Sequence, residues 1–552
     1  MFHHTRPRSS GRRRRWGTAV AGAVPTGGAV LLLAPAPAWA QSGVAEGPSS
    51  TTTLLIAGIT ALAFLGAVLA ARWAYLNPAP IRTVAPLVSH DLLDDTLTRT
   101  RESTLVASFG VALPALLVWY LFADHGGAWF HIPGTPLFVG ELVIIWGVVA
   151  MMAGAVPILR SVRRSPALLV LVTYMTWGAV LFLLNVTTYG LDAVRDSAIW
   201  YYGIVAVFTL FLLLSDPARL GRWWTAFGKL IPALLLWYPI ALVLDSLMGG
   251  GGGPQVPDSN VPLFSHRLGN IGVVAGMIIG FLWLVERDSD RVTPNQRVTY
   301  TALATLLIVV GGLQNRGGLV AGFLGIAAML FLMRRRRTEL SMMMVGVVVL
   351  GITLALVTDL RVPLFDGREI SADQLVRNVT SIINPDKGRE RETETTRWRL
   401  EIWKQVLDDV STEFPLTGFG PGPDLGKRYN ISTNPNAPLR NPHNSHVGVL
   451  ARLGWVGAGL WFVLWIVWSM QLLMLRRRFR RRGKHHEAAF AGWLLVSAGM
   501  ILVNAFFDPT LEGPQVAMVL WFIFGIGAAL PLLAEGAGRT VTTAAVPAPS
   551  RA

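Results

Sequence analysis

Two histidines and a small set of arginines are the residues of this chain whose types and positions could do chemistry. The stretch NPHNSHVGVLARLGWVGAGLW, from Asn441, runs a polar knot straight into an apolar, Gly-punctuated segment with the character of a membrane helix. His443 is flanked by Pro442 and Asn444, which restrict its backbone and offer a second hydrogen-bonding side chain. An imidazole with a pKa near ~6.5 can accept a proton at neutral pH, so His443 is the candidate general base. His446 lies one turn further on, where a structural hydrogen bond is the simpler role. Arg195 in YGLDAVRDSAIWYYG, Arg267 in LFSHRLGNIG and Arg316 in GGLQNRGGLVAG stand at the ends of apolar segments. A guanidinium at such a place can bind lipid phosphate, pair with an acid such as Asp196, or hold the phosphates of a substrate.

The elements that must position these residues are membrane helices. The chain has 552 residues, of which 52% are hydrophobic and 15% charged, with a mean hydropathy of +0.48. Apolar runs long enough to cross ~30 Å of hydrocarbon recur along most of it. Candidate spans lie near residues 54–76, 103–122, 137–158, 166–187, 198–214, 226–247, 270–285, 298–313, 317–333, 340–358, 446–475, 488–507 and 515–534. The expected fold is therefore an all-α polytopic integral membrane protein with about 12–14 transmembrane helices. Strand alternation is absent, which disfavours a barrel. Glycines four apart, at Gly272, Gly276 and Gly280 and at Gly318 and Gly322, predict close approach of helix backbones.

The formal net charge of +15 would raise nucleic acid as a partner of a soluble protein. Here the basic residues cluster in short connections, in RSVRRS from Arg160, RRRRTE from Arg334 and RRRFRRRGKHH from Arg476. That placement marks cytoplasmic loops against anionic lipid, so membrane lipids are the expected partner and nucleic acid is not. There are no cysteines, which excludes disulfide and thiolate chemistry.

Residues 1–40, with Arg12 to Arg15, an apolar core and Ala38-Trp39-Ala40, read as a signal peptide or signal-anchor. Either delivers Gln41 to the outside, and alternation then puts the basic clusters inside. It puts outside the connections around Asp124, Arg195, Arg316 and Asp508, the Gly-rich loop 248–269 and the long segment 359–445. The expected organisation is N-terminal transmembrane helices over 41–358, an extracytoplasmic loop domain over 359–445, C-terminal transmembrane helices over 446–534 and a disordered cytoplasmic tail over 535–552. Within the loop, RWRLEIWKQVLDDV from Arg397 places Leu400, Trp403, Leu407 and Val410 at helical spacing opposite charges. This amphipathic helix lies either on the outer leaflet or against the rest of the loop. The stretch FPLTGFGPGPDLG after it is dense in Gly and Pro and predicts an irregular loop. Prolines hold the positions where a phosphate-binding helix would have to start.

NPHNSHVGVLARLGWVG resembles the Pro-His-Asn, Leu and Gly pattern of the O-antigen ligase and polymerase superfamily, bacterial membrane enzymes that move lipid-linked glycans. RWRLEIWKQVLDDVSTEFPLTGFGPG resembles the stretch that precedes that histidine, QNRGG the family's Ser-Arg-Gly element and VNAFFDPTLEGPQVAMVLWFIFG its closing helix pair. Asn315 departs from the usual serine. The resemblance covers roughly residues 180–530 and implies transfer of a glycan from a polyprenyl (undecaprenyl) diphosphate carrier to a lipid, protein or glycan hydroxyl. It implies a site on the outer face of the bacterial cytoplasmic membrane and no cofactor or metal. His443 would be the base and Arg316 and Arg195 the diphosphate ligands, with Arg267, Asn444, Arg397 and Arg399 binding substrate.

Protein O-glycosylation is an alternative the same base and arginines would serve. A metal-dependent enzyme would use Asp124 or Asp288-Ser289-Asp290, the latter in a cytoplasmic charge cluster beside Glu286, Arg287 and Arg291. A transporter of lipid-linked glycan would show a repeat or a mid-helix charge cluster, and neither is evident.

Overall fold

The computed structural model describes residues 103–132, 138–154, 158–248, 254–256, 261–286, 291–333, 337–357, 362–363, 369–370, 390–430 and 440–543. The signal segment, the first candidate span near 54–76, the Asp288 cluster and residues 544–552 lie outside them. Among the described residues the α-helices are α1 (Thr104–Ala128), α2 (Val139–Ala153), α3 (Ile158–Arg164), α4 (Pro166–Tyr189), α5 (Leu191–Asp196), α6 (Ala198–Tyr201), α7 (Ile204–Ser215), α8 (Ala218–Met248), α9 (Leu268–Gly280), α10 (Pro294–Gln314), α11 (Arg316–Leu332), α12 (Arg337–Val357), α13 (Glu390–Glu413), α14 (Leu425–Arg428), α15 (Ser445–Arg481), α16 (His485–Phe507) and α17 (Pro514–Thr543). A two-residue pairing, β1 (Val362–Pro363) with β2 (Glu369–Ile370), is the sheet structure among the described residues.

Each expected span from 103 onward falls on a helix or on a bent pair of helices. Seven of them, α1, α4, α8, α9 with its π-helical extension to Val285, α15, α16 and α17, are long and apolar enough to cross a membrane. The bent pairs α2–α3 and α5/α6–α7 bring the number to nine among the described residues. The last helix continues past the apolar segment into the expected tail as far as Thr543.

Starts are written locally. Ser165 caps α4 with Pro166 at its first position, Thr293 and Gln296 form a reciprocal capping box before Pro294 of α10, and Asn315 accepts from Gly318 N to open α11. The α9 helix sits in the middle, packed on α10, α11 and α16, whereas α4, α8 and α15 present wide apolar faces outward. Small residues permit the central contacts. A Cβ on Gly318 would lie 2.5 Å from the Gly269 Cα, and one on Gly276 2.6 Å from the Met500 Sδ. Backbone approach of this kind sets the beginning of α11 beside the beginning of α9.

The long connection is held to the bundle through α13. Its buried face is Ile402, Val406 and Val410, one turn apart, against Leu450 and Ala451 of α15 and Leu425 of α14. This corrects the face expected from the sequence: Val410 is shared, but Leu400 and Leu407 stay exposed. The helix rests on its own loop and on α15.

The Gly-Pro loop then docks into a break in α15. Gly454 has φ 65° and ψ −169°, a conformation available in practice to glycine alone, and the opened turn exchanges bonds with the loop: Phe419 N donates to Ala451 O at 2.8 Å and Trp455 N to Pro415 O at 2.9 Å. A Cβ at 454 would meet Leu416 O at 2.3 Å. Gly454→Ala is expected to cost ~1–3 kcal/mol in backbone conformation alone. Thermal unfolding in detergent reads it, and an unchanged midpoint would refute this docking.

Candidate active site

The polar end of the bundle is assembled from separate parts of the chain. At its edge the chain turns through Asn441, Pro442 and His443 before Asn444 caps α15, accepting from His446 N at 2.9 Å and Val447 N at 3.2 Å. His443 itself has φ 53°, a left-handed conformation that costs a non-glycine residue and that is held here by three contacts. Its N–H donates to Asn441 Oδ1 at 3.1 Å, Trp403 Nε1 donates to Pro442 O at 2.7 Å, and the Trp398 ring lies 5.9 Å from the imidazole. Among the described residues neither ring nitrogen of His443 has a hydrogen-bond partner.

Two arginines flank this histidine. Arg267, the residue preceding α9, pairs with Asp508 at 3.3 Å, and its own N–H donates to Asp124 Oδ2 at 2.7 Å. Asp124 also accepts from Asn270 Nδ2 at 2.8 Å, and Asn504 Nδ2 donates to Asn270 at 3.2 Å. Arg399, on α13, donates to Phe507 O at 3.1 Å. Burial pushes the His443 imidazole down to about 4; the neighbouring Arg399 and Arg267 add to this and Asp508 opposes it. The side chain is therefore neutral at physiological pH, the form that can take a proton.

A second ionic cluster lies next to the first. Arg452, buried in the first turns of α15, pairs with Asp196 at 2.8 Å and donates to the Gly420 and Pro423 carbonyls of the Gly-Pro loop. Arg440 reaches Asp192 at 3.2 Å, Asp424 at 3.4 Å and Asp196 at 3.7 Å. Gly422 N donates to Asp196 at 3.0 Å. Glu512, between α16 and α17, is pushed up to about 7 by burial, with Arg452 opposing, Asp196 adding, and Asn441 and Arg195 opposing. Asn441 thus bears on both clusters, since its Oδ1 accepts from His443 N and its side chain favours the charged form of Glu512.

The structure sorts the residues proposed from sequence. His443, Arg267 and Arg399 come together. Arg195 does not join them directly: it is exposed on α5, and its charge bears on Glu512. Arg397 is exposed on α13. Asn444 is fully buried, and its side-chain oxygen caps α15. Arg316 is the first residue of α11, beside the start of α9, and its side chain lies outside the described residues. His446 has both nitrogens engaged, Nε2 with Leu502 O at 2.9 Å and Nδ1 with Trp461 Nε1 at 3.0 Å, which fixes it as structural. Among the described residues no group of three His, Asp or Glu is arranged to hold a metal ion. Asp124 is committed to Arg267 N and Asn270.

Sequence reading missed Asp508, Arg440, Arg452 and Glu512. Arg452 carried a signal, an ionisable residue within an apolar helix, and so did Asp508 at the end of one.

Residues 301–462 match the family model described as O-Antigen ligase. The chain carries an O-antigen ligase domain. No curated protein matches the chain. The matched segment contains His443, Arg399, Arg316 and Arg452; with the apolar helices of the bundle it supports, in general terms, an O-antigen ligase-like function of glycosyltransferase type in a multi-pass membrane protein. Arg267 and Asp508 lie outside the O-antigen ligase segment and still meet its histidine. The family implies, in general terms, a lipid-linked glycan donor and an acceptor.

The bundle's other end is basic. Arg476 donates to Leu332 O at the far end of α11, Arg219 binds Leu212 O and Ser215, and Arg222 pairs with Asp216.

Proposed function

We propose that this enzyme transfers a glycan from a polyprenyl diphosphate carrier to a hydroxyl acceptor at the extracytoplasmic face of the bacterial cytoplasmic membrane. The observation that carries the reading is His443, strained in backbone and held neutral by burial and by the charges of Arg399 and Arg267, at the polar end of an apolar bundle. The acceptor O–H gives its proton to a His443 ring nitrogen as the oxygen attacks the anomeric carbon. The sugar C–O bond breaks, and the carrier diphosphate leaves with the electron pair. Arg267 and Arg399 hold the charge that develops on it, with Arg316 at the neighbouring helix start; Arg195 and Arg397 guide the charged substrate from further out. Donors aimed at a leaving group in a poorly hydrated site are worth ~3–4 kcal/mol each. Asp508 keeps Arg267 oriented before substrate arrives, and Asn441 and Asn444 hold the His443 turn.

The basic clusters at the opposite end favour this orientation, because arginine-rich connections stay cytoplasmic. Transport without chemistry would leave the strained histidine without a role.

The test is transfer by purified protein in detergent, with polyprenyl diphosphate glycan as the sole substrate and a chelator present. Chain lengthening by wild type marks a polymerase; activity only after a lipid or protein acceptor is added marks a ligase. Activity lost to the chelator and restored by a divalent cation would overturn the metal-independent reading.

The pH dependence follows from the same geometry. The acid limb of kcat/KM, which reports the free enzyme, is expected as pH falls through about 4, where His443 gains its proton. A bound diphosphate offsets the two arginines, so the limb in kcat is expected at higher pH. A kcat/KM limb at ~6.5, the ordinary histidine value, would contradict this environment.

A further inference from the structure

The wall of the bundle between α1, α8 and α17 carries an aromatic cleft that the chemistry above does not use. Its rim is Val111 and Pro114 of α1, Leu230 of α8 and Phe522 of α17; its floor is closed by Trp493 of α16 and Met277 of α9. The rings interlock, Trp223 against Phe522 at 5.0 Å and Trp224 against Phe281 at 4.3 Å. At the basic end the cleft stops at Arg222, already paired with Asp216. Water gains little from such a surface, and a chain of CH₂ and CH₃ groups gains ~25 cal/mol for each Å² of apolar area it buries.

The other end decides the occupant. Leu121, Met277 and Val519 line this cleft and also a separate, smaller cavity, whose wall includes Asp124 and Asn270. Asp124 accepts from Arg267 N, and the Arg267 side chain holds Asp508 beside His443. From Gly110 to Asp124 the path follows about 20 Å of helix at 1.5 Å per residue. An apolar cleft with a small, polar-ended cavity beside its upper end, one residue from a cation at the reacting centre, fits a lipid whose charged head is at the site and whose tail descends into the bilayer.

We infer that the cleft between α1, α8 and α17 receives the isoprenoid tail of the diphosphate donor, with Leu121, Met277 and Val519 at the passage toward the head. The inference rests on the glycosyl-transfer reading, which supplies the donor class. Ordinary phospholipid chains cover the rest of the outer surface, including Phe462 and Ile466 of α15, and serve as the internal control.

Photolabelling tests it on the whole protein in phosphatidylglycerol vesicles. The probe is a long-chain polyprenyl diphosphate, without sugar, bearing a diazirine near the end of its tail. Labelled peptides are expected from α1, α8 and α17, with the signal falling at least about tenfold on addition of unlabelled polyprenyl diphosphate and unchanged by extra phosphatidylglycerol. Labelling spread over α15, or competed by phosphatidylglycerol, would overturn the assignment. Val519→Trp, which narrows the passage, should lower transfer from a long-chain donor about tenfold and spare a short-chain, water-soluble one; equal loss for both donors would count against the cleft. If wild type labels in the cleft yet transfers no glycan, the tail site stands and the glycosyl-transfer reading fails.

Discussion

His443→Ala is expected to lower kcat by ~10²–10⁴-fold, the contribution of a positioned general base. In the proposed mechanism the loss belongs mainly to kcat, because the proton moves only in the transition state, while Arg267 and Arg399 would still bind the diphosphate. Folding should be little affected. The imidazole makes no hydrogen bond among the described residues, and the turn is held by the Asn441, Trp403 and Asn444 bonds to backbone. His443→Asn is the sharper variant: asparagine tolerates the left-handed backbone at φ 53° better than most residues and cannot act as a base at neutral pH. Single-turnover transfer with a labelled donor measures both. Asparagine at 443 with near wild-type rates would remove His443 from the chemistry.

The largest expected effect on stability is at Arg452. Replacing it with methionine leaves the Asp196 carboxylate buried beside the loop it used to anchor, and breaking a buried pair on one side costs ~3–5 kcal/mol. Both partners are almost completely enclosed, with 6% and 8% of their side chains exposed, so solvent does not screen the loss. Asp196 keeps the Gly422 N–H and the more distant Arg440, which places the outcome near the lower bound. Loss of the Arg452 bonds to the Gly420 and Pro423 carbonyls also frees the Gly-Pro loop. Thermal unfolding of the detergent-solubilised protein should fall markedly for Arg452→Met, and Asp196→Asn added to it should recover part of the fall. A double variant no better than the single one would show that the pair is not the cause.

Both results bear on one design. His443 occupies an unfavourable backbone conformation only because its surroundings are rigid, and the Arg452 cluster is one of the things that keeps them so. Asn441 links the two, its Oδ1 accepting the His443 N–H while its side chain favours the charged form of Glu512. Substitutions in the second cluster should therefore reach the rate as well as the fold.

The sequence by itself determined the helices and singled out the histidine as the proposed base. Apolar runs and their caps are local facts: Ser165-Pro166, the Thr293–Gln296 box and Asn444 mark starts that neighbours within four residues can write. His443 was legible because the polar knot before an apolar helix is itself a short pattern. The face of α13 was legible only in part, since Ile402, Val406, Leu400 and Leu407 are all apolar and two stripes compete for one surface. Only tertiary packing decided which charges meet the histidine. Arg267, Arg399 and Asp508 lie far apart in the chain and were brought together by close helix contacts such as Gly318 on Gly269, while Arg195 was carried to the Glu512 side. Spacing along the chain fixes a residue's depth and its helix face; which other helix that face meets depends on packing among them all.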